Sequence, residues 1–242
     1  HDGNLNATEA IVRSAVLYVL RAWVGDHLPL NEGLLDDVHI KTPEGILSPV
    51  FPEDPAVCPA VVGGNVETSQ RIVDVLLDAL DLQANSQDTM NNFLFGNAAF
   101  AYYETIGGGS GAGPGWSGLS GTHVHMSNTA ITDPEILERR FPVRLLRFSL
   151  REGSGGRGRW NGGCGLEREF EFLEGMTVSM LTQRRKKGPR GKKGGAAGLP
   201  GRQDILRRDG SCEELPGICS FTVETGERVR IVTPGGGGWG EP

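Results

Sequence analysis

The chain has 242 residues, of which 38% are hydrophobic and 22% are charged, and its net charge is −6. This composition is typical of a soluble globular protein. No apolar run approaches the roughly 20 residues that a membrane-spanning helix needs, so no membrane segment is predicted. Glycine accounts for 37 residues, about twice its usual share, and this predicts many turns and close backbone contacts.

The first predicted helix carries apolar residues at helical spacing from Ile11 to Trp23. Asn6 with Glu9 is a candidate capping pair at its start, and Pro29 and Gly33 mark the loop that follows. A second helix is predicted over residues 67–82. Its inward face is expected to hold four apolar residues: Ile72, Val75, Leu76 and Ala79.

The next elements are a hairpin and a short helix. Residues 92–104 alternate in the manner of two strands, with Gly96-Asn97 as the turn. Asp133 followed by Pro134 predicts a capped helix that ends near Arg140. Six short apolar segments then alternate with turn residues and predict antiparallel strands: 143–151, 166–174, 176–183, 203–208, 218–224 and 228–233.

The predicted fold class is α+β, with a helical and hairpin unit over 1–140 and a mainly antiparallel β unit, sandwich or barrel-like, over 141–242. Charge suggests the boundary, because residues 1–140 carry 18 acidic and 6 basic residues whereas residues 141–242 carry 12 acidic and 18 basic ones. Residues 184–202 form an irregular insertion. Four dispersed cysteines without a C-x-x-C pair predict free thiols in a cytoplasmic protein, although Cys212 and Cys219 could face each other across a hairpin.

The densest glycine run holds seven glycines between residues 107 and 118, and His123 and His125 follow it. Such a run indicates that the backbone closely approaches a ligand or another chain, with a flexible surface loop as the alternative. Two histidines two residues apart face the same side of a strand, and imidazole is the commonest metal ligand in proteins. His123 and His125 are therefore candidate catalytic residues and candidate metal ligands.

Polar side chains around the histidines are further candidates. Asn128, with Ser127 and Thr129, can donate a hydrogen bond to a substrate carbonyl, or it can cap a turn before Asp133. Glu104 stands where the hairpin meets the glycine run and is a candidate general base or metal ligand. The alternative is an acid exposed to solvent at the end of a strand.

The basic run at 184–193 holds seven basic residues in ten positions. The acidic chain and the lack of interleaved aromatic residues disfavour nucleic-acid binding. A solvated loop that docks on an acidic partner or on the acidic first unit is the preferred interpretation. Near the end of the chain, Gly235–Gly238 predict a close passage of one backbone segment against another, since no lysine follows as in a phosphate loop.

Several runs carry a resemblance to a known family: YYETIGGGSGAGP (102–114), HMSNTAITDPE (125–135), GNLNA (3–7), PLNEG (29–33), AVVGGNVETSQRIVDVLL (60–77), MNN (90–92), RFPVRLLRFSLREGSGGRGRWNGG (140–163) and TPGGGGWG (233–240). The chain resembles the hydantoinase B family, which includes 5-oxoprolinases, N-methylhydantoinases and the large subunits of acetone and acetophenone carboxylases. The resemblance covers the C-terminal portion of such a subunit.

The resemblance implies an ATP-dependent enzyme that opens a cyclic amide, with a ketone carboxylase subunit or a non-catalytic assembly portion as alternatives. It implies a divalent metal of unknown identity. It also implies ATP bound by a hydantoinase A-like ATPase subunit or domain rather than by this chain, an upstream part of the same B subunit, and an oligomer. His125 would be the acid/base or ligand and Asn128 the carbonyl donor. The substrate would contact seven further residues: Asn65, Asn91, Asn92, Gly107, Gly108, Gly109 and Gly111. For the three asparagines, the favoured alternative is that their amides satisfy the backbone of their own loops.

Three positions depart from the family's usual pattern. Ala130 replaces an arginine, Cys164 an aspartate and Gln183 a glutamate. We therefore expect either a different substrate or a weakened catalytic role.

Overall fold

The computed structural model describes residues 1–25, 29 and 31–242. The rest of the predicted loop after the first helix, residues 26–28 and 30, lies outside the described residues. Contacts divide the chain into two compact units, His1–Asp81 with His125–Ser127 and Leu82–Val124 with Asn128–Pro242. These units differ from the predicted ranges 1–140 and 141–242 because the hairpin at 92–104 pairs with strands that follow residue 141.

Helix α1 spans Glu9–Val24 and confirms the first predicted helix. Its buried residues are Val12, Ala15 and Val19, whereas Trp23 is 56% exposed. The predicted capping pair is wrong, because Thr8 is the N-cap residue and makes no side-chain cap. The Asn6 amide instead donates to three backbone carbonyls of its own unit, among them that of Ala60 at 3.1 Å.

Helix α2 spans Ser69–Ala79 and continues a π-helical turn at Gly64–Thr68. Its predicted inward face is wrong, since Val75 is 64% exposed and Ala79 is exposed. The buried side of α2 carries Ser69, Gln70, Val73, Asp74 and Leu77. The helical period is as predicted but the phase of the buried face is not, because α2 buries polar side chains on the side predicted to face solvent. Short 3-10 turns lie at Glu32–Leu35 and Pro55–Val57.

The second unit contains helix α3, Pro134–Arg140, whose N-cap Asp133 confirms the predicted start. Its strands are β1 (Asn92–Gly96), β2 (Ala101–Glu104), β3 (Val143–Arg151), β4 (Gly165–Phe172), β5 (Met176–Leu181), β6 (Arg202–Leu206), β7 (Cys212–Glu214), β8 (Ile218–Val223) and β9 (Arg228–Val232). The hairpin and all six predicted β segments are confirmed, and β7 was missed.

The strands form two sheets, with the orders β2-β1-β5-β8 and β3-β4-β9-β6-β7. Every described strand pair is antiparallel. The two sheets share one buried apolar cluster, to which Phe93 and Phe95 of β1 and Phe170 and Phe172 of β4 contribute. The α+β class is confirmed, and the sheets do not close into a barrel.

Glycine-rich segments of the second unit pack backbone against backbone. A Cβ atom at Gly109 would lie 2.0 Å from the Gly163 carbonyl oxygen, and one at Gly236 would lie 1.9 Å from the Ser110 carbonyl oxygen. Both distances are far shorter than a carbon–oxygen contact allows, so only glycine fits. The predicted close passage at Gly235–Gly238 is confirmed, and the segment that the 107–118 run approaches belongs to the same chain.

Within the described ranges, no helix is long and apolar enough to cross a membrane. Cys58, Cys164, Cys212 and Cys219 are free thiols, as the sequence predicted.

Candidate functional site

A buried ionisable pair of the first unit joins His125 to Asp74. The His125 Nε2 atom lies 2.8 Å from Asp74 Oδ1, and each side chain is only 3% exposed. One turn earlier on α2, the Gln70 amide oxygen accepts a hydrogen bond from the Met126 backbone N–H at 3.2 Å. Helix α2 therefore holds both the imidazole and the backbone beside it.

The backbone at His125 is unusual, because its φ of 54° lies in the left-handed region. A non-glycine residue there is uncommon and often belongs to a turn or to a site that requires a particular side-chain direction. His125 lies in a turn and not on a strand, so the predicted strand that would align the rings of His123 and His125 is wrong. The two histidines have different partners and fall in different units.

Tyr18 of α1 completes this cluster. Its ring meets the His125 ring edge-on, with 6.2 Å between the ring centroids. Burial raises the pKa of the Tyr18 hydroxyl, so this group stays protonated. With Nε2–H donated to the Asp74 carboxylate, the His125 Nδ1 atom is left as a proton acceptor. The pair can therefore take up a proton and later release it.

His123 belongs to the second unit, where its Nε2 atom lies 3.3 Å from the Thr129 hydroxyl. Thr129 in turn shares a hydrogen bond with the hydroxyl of the buried Thr105. Burial lowers the pKa of His123, so its ring is neutral near pH 7. The three side chains form a short hydrogen-bonded chain.

Glu104 is buried at the end of β2, so the alternative of a solvent-exposed acid is wrong. Its Oε2 atom accepts a hydrogen bond of 2.7 Å from the Tyr102 hydroxyl, and its Oε1 atom lies 3.4 Å from Arg168 Nε. The Arg168 guanidinium lies 4.6 Å from the centre of the Phe148 ring and 4.9 Å from that of Phe170. Burial raises the pKa of Glu104, while Arg168 and Tyr102 oppose that rise.

The predicted amide residues occupy separate places. Asn65 and Asn128 are exposed. Asn91 is buried and donates to the Ile106 carbonyl oxygen at 2.9 Å, and Asn92 donates to the Leu181 carbonyl oxygen at 2.9 Å. Asn91 and Asn92 therefore satisfy backbone carbonyls, and the substrate contacts of all four residues stay predictions.

The glycine run also has its backbone donors engaged. The N–H groups of Gly108, Gly109 and Gly111 donate to the Thr122 carbonyl, the Pro234 carbonyl and the Ser86 hydroxyl at 2.9, 2.9 and 3.0 Å. Gly107 accepts a hydrogen bond at its carbonyl from the Thr233 hydroxyl at 2.8 Å. A substrate could bind these N–H groups only after breaking their present hydrogen bonds. The substrate contacts of the four glycines therefore stay predictions.

The sequence profile of the family described as Hydantoinase B/oxoprolinase matches residues 1–242. The chain belongs to this family. It is 52% identical over 238 residues to 5-oxoprolinase 1 of Arabidopsis thaliana, covering 98% of this chain and 18% of that protein. It is 45% identical over 258 residues to 5-oxoprolinase of Saccharomyces cerevisiae, covering 99% and 20%.

This hydantoinase B/oxoprolinase chain thus spans about a fifth of the length of those relatives. Two solved structures share its fold. ATP-dependent caprolactamase from Pseudomonas jessenii matches with a TM-score of 0.76 at 23% identity, covering 95% of this chain and 42% of that one. A nucleotide-free acetone carboxylase matches with a TM-score of 0.80 at 16% identity, covering 99% and 38%.

The implied metal does not fit the two histidines of this hydantoinase B/oxoprolinase chain. Across residues 1–25, 29 and 31–242, no three His, Cys, Asp or Glu side chains are grouped so that they could hold an ion. The His125 Nε2 atom is engaged with the Asp74 carboxylate at 2.8 Å, and His123 belongs to the other unit. We therefore derive no chemical step through a metal at His123 or His125.

Sequence reasoning missed Asp74 and the ion pair between Asp88 and Arg184. The fully buried Asp88 accepts two hydrogen bonds from Arg184, at 2.7 and 2.8 Å. The missed signal for Asp74 is a carboxylate four residues after Gln70 on one side of an apolar helix. Arg184 was predicted to be solvated within the basic run, but it folds inward.

The three departures from the family's usual residues belong to the second unit, whereas His125 and Asp74 belong to the first. Ala130 is exposed. Gln183 donates its backbone N–H to the Thr89 hydroxyl at 3.1 Å. Burial of Cys164 by itself would raise the pKa of its thiol, but hydrogen bonds, chiefly from the backbone of residues 153–155, outweigh that effect and lower the pKa.

Proposed function

We propose that this chain is part of an ATP-dependent cyclic-amide hydrolase of the 5-oxoprolinase type. Support comes from its identity of 52% to a relative named 5-oxoprolinase 1 and from its fold likeness to a caprolactamase named as ATP-dependent. ATP, the divalent metal and a hydantoinase A-like ATPase subunit or domain are proposals about the whole protein, because this chain covers only 18% of that relative.

The observation that carries the proposal is the buried His125–Asp74 pair. A general acid/base must present a neutral acceptor and be held in one orientation. Asp74 fixes the ring through Nε2, and Nδ1 is the acceptor. Asp74 acts through His125 and is a positioning residue.

The reaction that fits this pair is ring opening after ATP has phosphorylated the amide oxygen. Water adds to the ring carbon while His125 Nδ1 takes a proton from it. The carbon–nitrogen bond then breaks as the added hydroxyl becomes a carbonyl and releases its remaining proton to solvent, and the ring nitrogen receives from His125 the proton taken from water. A second water hydrolyses the acyl phosphate that remains. The roles of Asn128 as carbonyl donor and of Glu104 and His123 as further catalytic residues stay predictions from the sequence.

The test uses the full-length protein that contains this chain, assayed for ATP-dependent hydrolysis of 5-oxoproline. We compare His125→Asn with Asp74→Asn, since asparagine tolerates the left-handed backbone at position 125. His39→Asn is the matched control, because His39 is exposed. We expect kcat to fall about 100-fold or more for His125→Asn, with little change in KM. Asp74→Asn should also lower kcat, by less than His125→Asn does, with KM unchanged.

Other outcomes separate the alternatives. An unchanged kcat in both variants would refute the acid/base role and favour a non-catalytic assembly portion. ATP hydrolysis that depends on bicarbonate and a ketone, and not on 5-oxoproline, would replace the hydrolase with a carboxylase.

A further inference from the structure

Strand β8 is an edge strand whose own sequence lacks the features that usually protect an edge. Native edges are shielded by charge, proline, bulges or short length, because their free N–H and C=O groups invite another strand. The six residues of β8, ICSFTV, contain no charge and no proline. They pair with β5 in unbroken register from Val223 to Ile218.

The other three edges of the two sheets are protected. Strand β3 carries Arg144, Arg147 and Arg151 and has a register shift between Leu145 and Arg147. Strand β7 has three residues, two of them glutamate, and β2 has four residues. The contrast singles out β8.

The backbone of β8 presents hydrogen-bonding groups away from the sheet. The Thr182 N–H donates to the Gly217 carbonyl at 2.9 Å, so alternate residues from 217 onward bond to β5. Ile218, Ser220 and Thr222 therefore direct their N–H and C=O groups outward. Arg207 donates to the Thr222 carbonyl at 3.1 Å, which agrees with an outward direction of that carbonyl. This contact does not involve the backbone N–H and C=O groups of Ile218 and Ser220.

The side chains of β8 also suit a partner strand. Ile218 is 58% exposed, and Ser220 and Thr222 are exposed beside it. On the inner face, Cys219 and Phe221 pack against the core but stay only partly buried. A strand added at this edge would cover them further.

We propose that β8 pairs antiparallel with β8 of a second copy, across a two-fold axis at Ser220. This pairing places Ser220 opposite Ser220 and Ile218 opposite Thr222, whose carbonyl would accept the Ile218 N–H of the second copy in addition to Arg207. Strand β8 carries no charged side chain, so like charges do not meet across the axis even though each copy has a net charge of −6. The two four-stranded sheets would join into one sheet of eight strands.

Sedimentation velocity of this chain from micromolar to near-millimolar concentration provides the test. We expect a monomer–dimer equilibrium. Ser220→Lys and Ser220→Glu should each weaken dimerisation by about tenfold or more, because like charges would lie directly opposite each other. An equimolar mixture of these two variants should dimerise again, since lysine then meets glutamate.

The matched control is Thr177→Lys. Thr177 is exposed on β5 in register with Thr222, one strand away from the proposed contact, and its variant should dimerise like the parent. Hydrogen exchange of the unmodified chain gives a second readout, since the Ser220 amide should become more protected as concentration rises. A chain that stays monomeric at every concentration overturns the proposal. So does a dimer unaffected by Ser220→Lys, or one disrupted equally by Thr177→Lys.

Discussion

The ion pair between Glu104 and Arg168 allows a prediction with a definite magnitude. The two charges are 3.4 Å apart, with side chains 3% and 0% exposed. At an effective dielectric constant of about 20, their attraction is about 5 kcal/mol, and desolvation offsets much of it. Removing only one partner destabilises the fold strongly, because it leaves the other charge buried without compensation. Glu104→Gln keeps an acceptor for the Tyr102 hydroxyl but leaves the Arg168 guanidinium without a counter-ion.

We expect Glu104→Gln to lower the free energy of unfolding by about 3–5 kcal/mol. Arg168→Met should cost less, because a buried carboxyl group can neutralise itself by taking up a proton whereas a guanidinium cannot lose one. The raised pKa of Glu104 makes that proton uptake easier. When Glu104→Gln and Arg168→Met are combined, most of the lost free energy of unfolding should be recovered, as expected for two coupled sites.

Urea unfolding monitored by circular dichroism measures these differences. Glu171→Gln is the matched control. Glu171 lies on β4, as Arg168 does, and pairs with Arg144 at 3.1 Å, but the Arg144 side chain is 59% exposed. An exposed pair of this kind contributes about 0–1 kcal/mol. A loss for Glu104→Gln no larger than that of the control would refute the reasoning, since it would mean that the pair is solvated.

Three further outcomes are expected. Gly109→Ala should destabilise the fold by about 3 kcal/mol or more, since its Cβ would lie 2.0 Å from a backbone oxygen, whereas Gly175→Ala meets nothing closer than 3.6 Å and should be near neutral in the same urea titration. Burial lowers the pKa of His123 below its usual 6.5. Its neutral form therefore stabilises the fold above pH 6.5, and that stabilisation is lost as pH falls through the lowered pKa. His123→Gln should flatten the decline in unfolding free energy between pH 7 and 5. Calorimetry of this chain alone with Mg-ATP should show no heat of binding, and a micromolar dissociation constant would contradict our placement of ATP elsewhere.

Local patterns predicted the β segments well, because each strand of the second unit alternates and ends at a turn residue. Pairing was harder to predict. The hairpin β1–β2 was assigned to a first unit on the basis of charge, yet β1 pairs with β5 from Asn92 to Gly96. Charge acts at the surface, while the buried contacts of Phe93 with Phe170, at 4.9 Å between ring centroids, decide which strands share a core.

The glycine run shows a different limit. Its density predicted that the backbone approaches something closely, which is correct, but the sequence could not name what it approaches. In the fold, Gly109 and Gly111 meet the backbone of residues 163 and 84. Ligand and chain make the same steric demand on a glycine, so only the fold separates the two interpretations.

The error in the phase of α2 leads back to the candidate site. An apolar stripe through Val75 and Ala79 would have given the helix an ordinary inward face, but the chain instead buries Gln70 and Asp74. Burying a carboxylate costs free energy unless it is paired, and here the partner is His125, at 2.8 Å and on a left-handed backbone. This contact thus combines a buried carboxylate with a non-glycine residue on a left-handed backbone, and both are locally unfavourable. Such departures are expected where a functional site, rather than stability, selects the residues. The combination of both at His125–Asp74 is therefore the strongest reason to test this pair first.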